Sequence, residues 1–241
     1  MTGVPFDRRA LTSAGARTIL LEDDRKGDLS QKERGSLLRW CFLALLALGP
    51  MTIEAPSTPS ITIAIQPFND LDAALLLEVR KGIEELFGPI DIVVLKPCEL
   101  PAMAFYPPRG RYRAEKLLQY LDSFRGKAYA KVLGLTSKDI STTKGEYEDW
   151  GIFGLGNLNS TACVVSTFRL KSGQPSEALF IQRVCRVVNH ELGHTFGLLH
   201  CDHAGCLMRD ARGSIKTVDD GSGKFCARCA RHIRQALGRR G

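Results

Sequence analysis

Apolar residues recur along this chain in two periods, and the switch between them marks the elements. ITIAIQPF at 61–68 has strand composition, and IDIVVL at 90–95 reads as a second strand. Between them, Leu75, Val79, Ile83, Leu86 and Phe87 stand at helical spacing, which predicts a helix over 72–87. A proline-rich connector runs through Pro107 and Pro108, and a second helix is predicted around 114–124. Further strands are expected at 131–136, 150–153 and 161–170, the last stopped by the break at 173–175. Then Ile181, Val184, Cys185, Val188 and Leu192 make a stripe at i, i+3, i+4, i+7 and i+11, the signature of a long, half-buried helix. Such alternation predicts an α/β (α+β) fold, a mixed sheet with helices packed against it. No internal repeat is present.

Residues 1–50 break this pattern. Residues 1–35 are polar and charged with no period, which reads as a disordered extension. Trp40 to Leu48 is apolar, yet nine residues fall short of the roughly twenty that span a bilayer. The stretch before it is too long and too acidic for a secretory leader. The expectation is therefore no membrane span and a cytoplasmic protein, with a short membrane-adhering segment as the alternative. Met51 opens a normal-looking start, so residues 1–50 are expected to be dispensable.

The composition, 241 residues with 44% hydrophobic content, is enough for one good core, in one lobe or two. The net charge of +7 is partly local: Arg228, Arg231, Arg234, Arg239 and Arg240 lie near the C-terminus with no acid among them. A solvated helix face explains such a run, and so does a surface for nucleic acid.

The chemistry concentrates in HELGHTFGLLH at 190–200. His190 and His194, four apart on a helix, share a face one turn from each other, and Glu191 lies beside them. That face is opposite the apolar stripe, so the imidazoles point to a cleft and not to the core. Gly197 can take the left-handed conformation that closes a helix, letting the chain return His200 as a third ligand. Three protein ligands leave one zinc position open for water, which marks a catalytic site. Attack by that zinc-bound water, with Glu191 as general base and acid, is the reaction expected. Gly193, mid-helix at a cost of about 1 kcal/mol relative to alanine, needs a packing or site reason.

Four cysteines follow. Cys201 and Cys206 form one close pair, Cys226 and Cys229 another, and this spacing reads as a tetrahedral four-cysteine zinc site, with disulfides or ordinary buried thiols as the alternatives. His203, inside the first pair, could replace one cysteine. His232 lies outside the pattern and reads as a surface residue. Cys41, Cys98, Cys163 and Cys185 lack partner spacing and read as small buried hydrophobes.

At this point the chain resembles a known family. HELGHTFGLLH followed directly by Cys201, then by Cys206-Leu207-Met208 and by Cys226 and Cys229, is similar to the archaemetzincins (archaelysins), a branch of the metzincin metallopeptidases. The resemblance implies two zinc ions per chain. His190, His194 and His200 would bind the catalytic one and the four cysteines the structural one. It makes Met208 the methionine of a tight turn beneath the site. It implies a metzincin-like upper lobe, a mixed twisted sheet with backing and active-site helices over 51–200, and a small zinc-clamped lower lobe with a C-terminal helix over 201–241. A peptide or protein is the expected substrate, and a monomer the expected assembly. The strand at 162–168 would then be either a sheet edge lining the cleft or an interior strand.

Two functions compete. One is a zinc-dependent peptidase with no nucleic-acid partner. The alternative is a non-enzymatic zinc module whose basic tail binds nucleic acid. Glu191 discriminates them, because a structural site has no use for a carboxylate beside two ligands.

Overall fold

The computed structural model describes residues 61–124 and 129–239. The extension expected at 1–50, with Cys41, lies outside the described residues.

β1 (Thr62–Phe68) is an apolar run buried almost throughout, and it lies between two parallel neighbours. One is β2 (Asp91–Val94) and the other β5 (Lys131–Thr136). β9 (Ala162–Ser166) pairs parallel to β5, and the short β8 (Gly154–Gly156) closes that side antiparallel to β9. The order is therefore β2-β1-β5-β9-β8. The strand expected at 161–170 stops at Ser166, and it is interior. All five of its residues are buried, as a strand with neighbours on both sides requires, so the free edge passes to β8.

Side chains alternate between the faces of this sheet. Ile63, Ile65, Leu133, Leu135, Cys163 and Val165 face one way. They meet helix α1 (Ala73–Phe87), with Leu75, Val79, Ile83 and Phe87 inward, and the long α3 (Glu177–Thr195) through Val184, Val188 and Leu192. Asp72 caps α1 by accepting the amide of Ala74. Ala64, Val132 and Val164 face the other way, against Leu117 and Leu121 of α2 (Ala114–Asp122).

A second sheet was only partly foreseen. It runs β3 (Phe105–Tyr106), β4 (Arg111–Arg113), β6 (Ile140–Lys144), β7 (Tyr147–Ile152). β6 has no apolar period, because ISTTK is polar, and Gly145, at φ +57°, makes the hairpin turn into β7. After β7 only Phe153 intervenes before β8, so one stretch of chain leaves the small sheet and becomes the edge of the large one.

The segment after residue 200 has no core of its own. Cys201, Cys206, Met208, Val218, Cys229, Ile233 and Leu237 join the same apolar cluster as α1 and α3. Two short helices serve it, α4 (Ile215–Asp220) and α5 (Ala227–Ala236). Buried Arg183 ties α3 to α4: both oxygens of Asp219 accept from it, at 2.7 Å each.

Candidate metal centres and the cleft

Helix α3 ends at Thr195, and Gly197, at φ +91°, turns the chain back so that His200 returns beside His190 and His194. A Cβ there would stand 2.4 Å from Asn159 Oδ1, so the turn needs glycine on both counts. One ligand atom from each of the three histidines falls within 4.8 Å of the others. His190 Nδ1 lies 2.8 Å from the carbonyl of Leu207, and His194 Nδ1 lies 2.7 Å from that of Leu198. A carbonyl only accepts, so both Nδ1 atoms carry the proton and both Nε2 atoms present lone pairs. Those two Nε2 atoms face each other at 3.1 Å. Two lone pairs at that distance repel unless a cation lies between them. Zinc at about 2.0–2.1 Å from each nitrogen of a tetrahedral shell would set them about 3.3 Å apart, so the donor set fits that ion. Burial also holds His190 neutral, its pKa pushed down to about 4, and lowers that of His194. His200 is exposed, with Nδ1 4.0 Å from Asp210 Oδ2.

Glu191 is the buried carboxylate of the site, 9% exposed. Burial pushes its pKa up to about 8, opposed by one backbone donor, the amide of Gly156. The edge strand lies so close that a Cβ on Gly154 would stand 2.6 Å from Glu191 Cγ, and one on Gly156 2.5 Å from Glu191 O. Both glycines of β8 therefore exist to let the sheet edge touch the helix. Gly193 has the same kind of reason. Its missing Cβ leaves room for Met208, whose Sδ would be 2.6 Å away. Met208 is fully buried beneath α3, and its carbonyl accepts from Cys201 N at 2.9 Å.

The four cysteines converge separately. Their sulfurs lie within 4.8 Å of one another, and Cys201 Sγ is 3.8 Å from Cys226 Sγ. No disulfide bridges them. With Zn–S near 2.3 Å, a tetrahedral shell has an edge of about 3.8 Å, so this donor set fits zinc as well. Cys226 caps α5 and Cys229 follows in its first turn; the helix start favours the thiolate at Cys226, while burial and the neighbouring thiols push Cys229 up. The backbone amide of Cys229 draws Cys226 down to about 7. Cys201 is lowered by the amide of His203 and by the Arg228 guanidinium, whose Nη2 lies 3.2 Å from the sulfur. His203 itself is exposed and outside this cluster: it contributes its backbone, not its ring.

The basic run thus has internal work at two places, because Arg239 donates to the carbonyls of Phe87 and Pro89 at 2.6 Å each. His232, although on the exposed face of α5, reaches back to the Phe196 carbonyl at 2.9 Å. Cys163 is fully buried, while Cys98 and Cys185 are half-buried beside Tyr120 and the Glu78 carbonyl.

Periodicity gave no sign of Lys131. From the start of β5 its ammonium donates to Thr195 O (2.7 Å) and Ser160 O (2.8 Å), and it lies over the ring of Phe196. It closes the C-terminal end of the motif helix from sixty residues upstream, a separation no local pattern reports.

A cleft of about 720 Å³ runs past these groups. Residues 152–158 with the β8 edge form one wall, α3 the floor, and residues 205–221 the other wall. His190, Glu191, His194 and His200 all open onto it.

The model of the family described as Peptidase family M54 matches residues 60–235. An archaemetzincin from Methanopyrus kandleri is 36% identical over 162 residues, covering 67% of this chain and 87% of that one. One from Haloquadratum walsbyi is 33% identical over 177 residues, or 70% of this chain and 97% of that protein. Among solved structures, the M. kandleri archaemetzincin has a TM-score of 0.65 at 31% identity, covering 77% of this chain and 99% of its own. The Archaeoglobus fulgidus archaemetzincin, solved with malonate, has a TM-score of 0.60 at 27% identity, covering 71% and 99%.

Proposed function

The chain belongs to peptidase family M54, the archaemetzincins, and is a zinc metallopeptidase; from this we propose how its own residues divide the work. His190, His194 and His200 hold a catalytic zinc at the cleft. Cys201, Cys206, Cys226 and Cys229 hold a second, structural one. When bound, the catalytic zinc supplies Lewis acidity, acidifying a water and polarising the scissile carbonyl.

Glu191 moves the proton. Its carboxylate accepts from the attacking water and returns the proton to the amine that leaves, which completes the hydrolysis of the peptide bond. Burial favours the protonated form of this group and the Gly156 amide the carboxylate, and a zinc ion held by the three histidines would favour the carboxylate further. The free edge of β8 offers backbone groups along the cleft, where an extended peptide can add as a further strand. The cysteine site clamps the segment from 201 onward, which has few large apolar residues, against α1 and α3. On this reading the described residues of 51–200 and of 201–241 belong to two lobes of a monomer, which line opposite sides of the cleft. Thiols kept as metal ligands suit a reducing compartment such as the cytoplasm. Among the described residues no helix is long and apolar enough to cross a membrane.

One observation carries the proposal: two histidine lone pairs facing at 3.1 Å, with a buried carboxylate on the next residue and an open cleft beyond. The test is Glu191→Ala. It is expected to keep two zinc ions per chain by mass spectrometry under native conditions and to lose hydrolysis of a peptide library by roughly a hundredfold or more. Undiminished cleavage would remove Glu191 from the mechanism.

A further inference from the structure

Two arginines of α3 turn towards α4, and only one carboxylate serves them. Arg183 takes Asp219 in a two-point grip and donates its remaining amino group to the carbonyls of Leu170 and Ser172. Arg186 is left with carbonyls: Nη1 donates to Val218 O at 2.8 Å and to Asp219 O at 2.7 Å. Its Nε is buried with no hydrogen-bond partner. None of its hydrogen bonds or ion pairs reaches a carboxylate. A half-buried guanidinium in this state has lost water, feels the Asp219 carboxylate only through space and shares it with Arg183, so a donor is left over and a further anion is favoured.

The place of Arg186 is what gives this meaning. It lines the same cleft as His190, Glu191 and His194, one helical turn before His190. A turn advances about 5.4 Å along α3, and an extended peptide advances about 3.3 Å per residue. Along the helix Arg186 is therefore offset from His190 by the length of one or two substrate residues. Lys144, Arg209 and Arg212 line the cleft with it. The acids there besides Glu191 are engaged: Asp210 accepts from Arg212 N and neighbours His200, and Asp220 pairs with Lys216. The field inside the cleft favours anions.

We propose that Arg186 is a specificity-determining residue that selects substrates with a carboxylate one or two residues from the bond to be cut. The carboxylate can be an Asp or Glu side chain or the free C-terminus of a short peptide. The inference rests on the peptidase reading above and deepens it.

The test uses the zinc-loaded full chain and peptide pairs that differ only by Glu against Gln at each position around the cleaved bond. Each pair is made with a free and with an amidated C-terminus. The Glu member is expected to show a kcat/KM roughly tenfold to a hundredfold higher at one position, weakening as salt rises. If the preference follows the free C-terminus instead, that carboxylate is the ligand and the proposal stands. Arg186→Gln should abolish the preference and Arg186→Lys restore part of it, a pattern that a merely structural role of the Val218 and Asp219 contacts would not produce. Equal rates for all pair members in the wild type, or an undiminished preference in Arg186→Gln, would overturn it.

A binding arm separates this from failure of the parent reading and needs no Arg186 variant to fold. Glu191→Ala protein with Arg186 intact is titrated with the same peptides, followed by fluorescence anisotropy. Tighter binding of the carboxylate members by about tenfold supports the proposal even if no peptide is cleaved, and equal binding refutes it. Absence of cleavage by the wild type on every peptide counts against the peptidase assignment alone.

Discussion

Replacing Gly156 by alanine adds a single methyl group at the point where sheet edge and motif helix touch. That methyl would stand 2.5 Å from the carbonyl oxygen of Glu191, with ordinary contact beginning near 3.4 Å, so something must yield by about 0.9 Å. Neither side yields easily. The strand is paired to β9 at Cys163, itself 3.3 Å from the added atom, and the helix is packed on the core through Val188 and Leu192. Overpacking of this kind costs about 1–3 kcal/mol. Alanine's smaller unfolded-state entropy returns about 0.4–1 kcal/mol. The net loss, about 1.3 kcal/mol at the middle of these ranges, corresponds to a melting temperature lower by roughly 3–5 °C in a domain of this size. Activity should fall further, since moving Glu191 by about 1 Å can cost on the order of a hundredfold. The assay is calorimetry beside peptide hydrolysis, with Gly221→Ala as the matched control. Gly221 also lines the cleft, but a Cβ there meets nothing nearer than 3.5 Å. It should melt no lower and cleave normally. A Gly156→Ala protein with unchanged melting and activity would refute the close-approach argument, as would an equally impaired Gly221→Ala.

Two further outcomes are expected. Cys226→Ser should lose one of two zinc ions and lower the melting temperature by about 10 °C, because that metal supplies folding free energy to the last forty residues; unchanged metal content and melting would end the structural-site reading. Asp219→Asn should lower the melting temperature by roughly 2–6 °C at neutral pH, by leaving Arg183 without its carboxylate. The Arg183 guanidinium holds the Asp219 carboxyl below its ordinary range. Its contribution is therefore full above the unfolded value, about pH 3.9, and fades as pH falls through the lowered folded one. The gap between wild type and variant should close in acid, and a gap that persists below that range would assign the effect to packing instead.

Local pattern was sufficient for what depends on neighbours in the chain. The i, i+4 spacing put His190 and His194 on one face of a helix, the apolar stripe set that face away from the core, and Gly197 marked the turn that returns His200. Two close cysteine pairs were recognisable for the same reason: a short loop leaves ligands few places to go. Strands buried on both faces, such as those at 61–68 and 131–136, declare themselves by a mostly apolar, β-branched-rich composition. What spacing could not report was which distant segment meets which. That β9 is interior and β8 the edge follows from strand order, and both are short apolar stretches in the sequence. Gly154 and Gly156 carry no local signal of a role until Glu191 is seen against them, and Gly193 has no rationale until Met208 fills the space. Lys131 reaches Thr195 across sixty residues. Arg186 and Arg183 look alike in the helix, and only the position of Asp219 gives one of them a two-point carboxylate grip and leaves the other bonded to carbonyls. Covalent proximity determines which ligands can share an ion; long-range packing, invisible to any local period, determines what surrounds them.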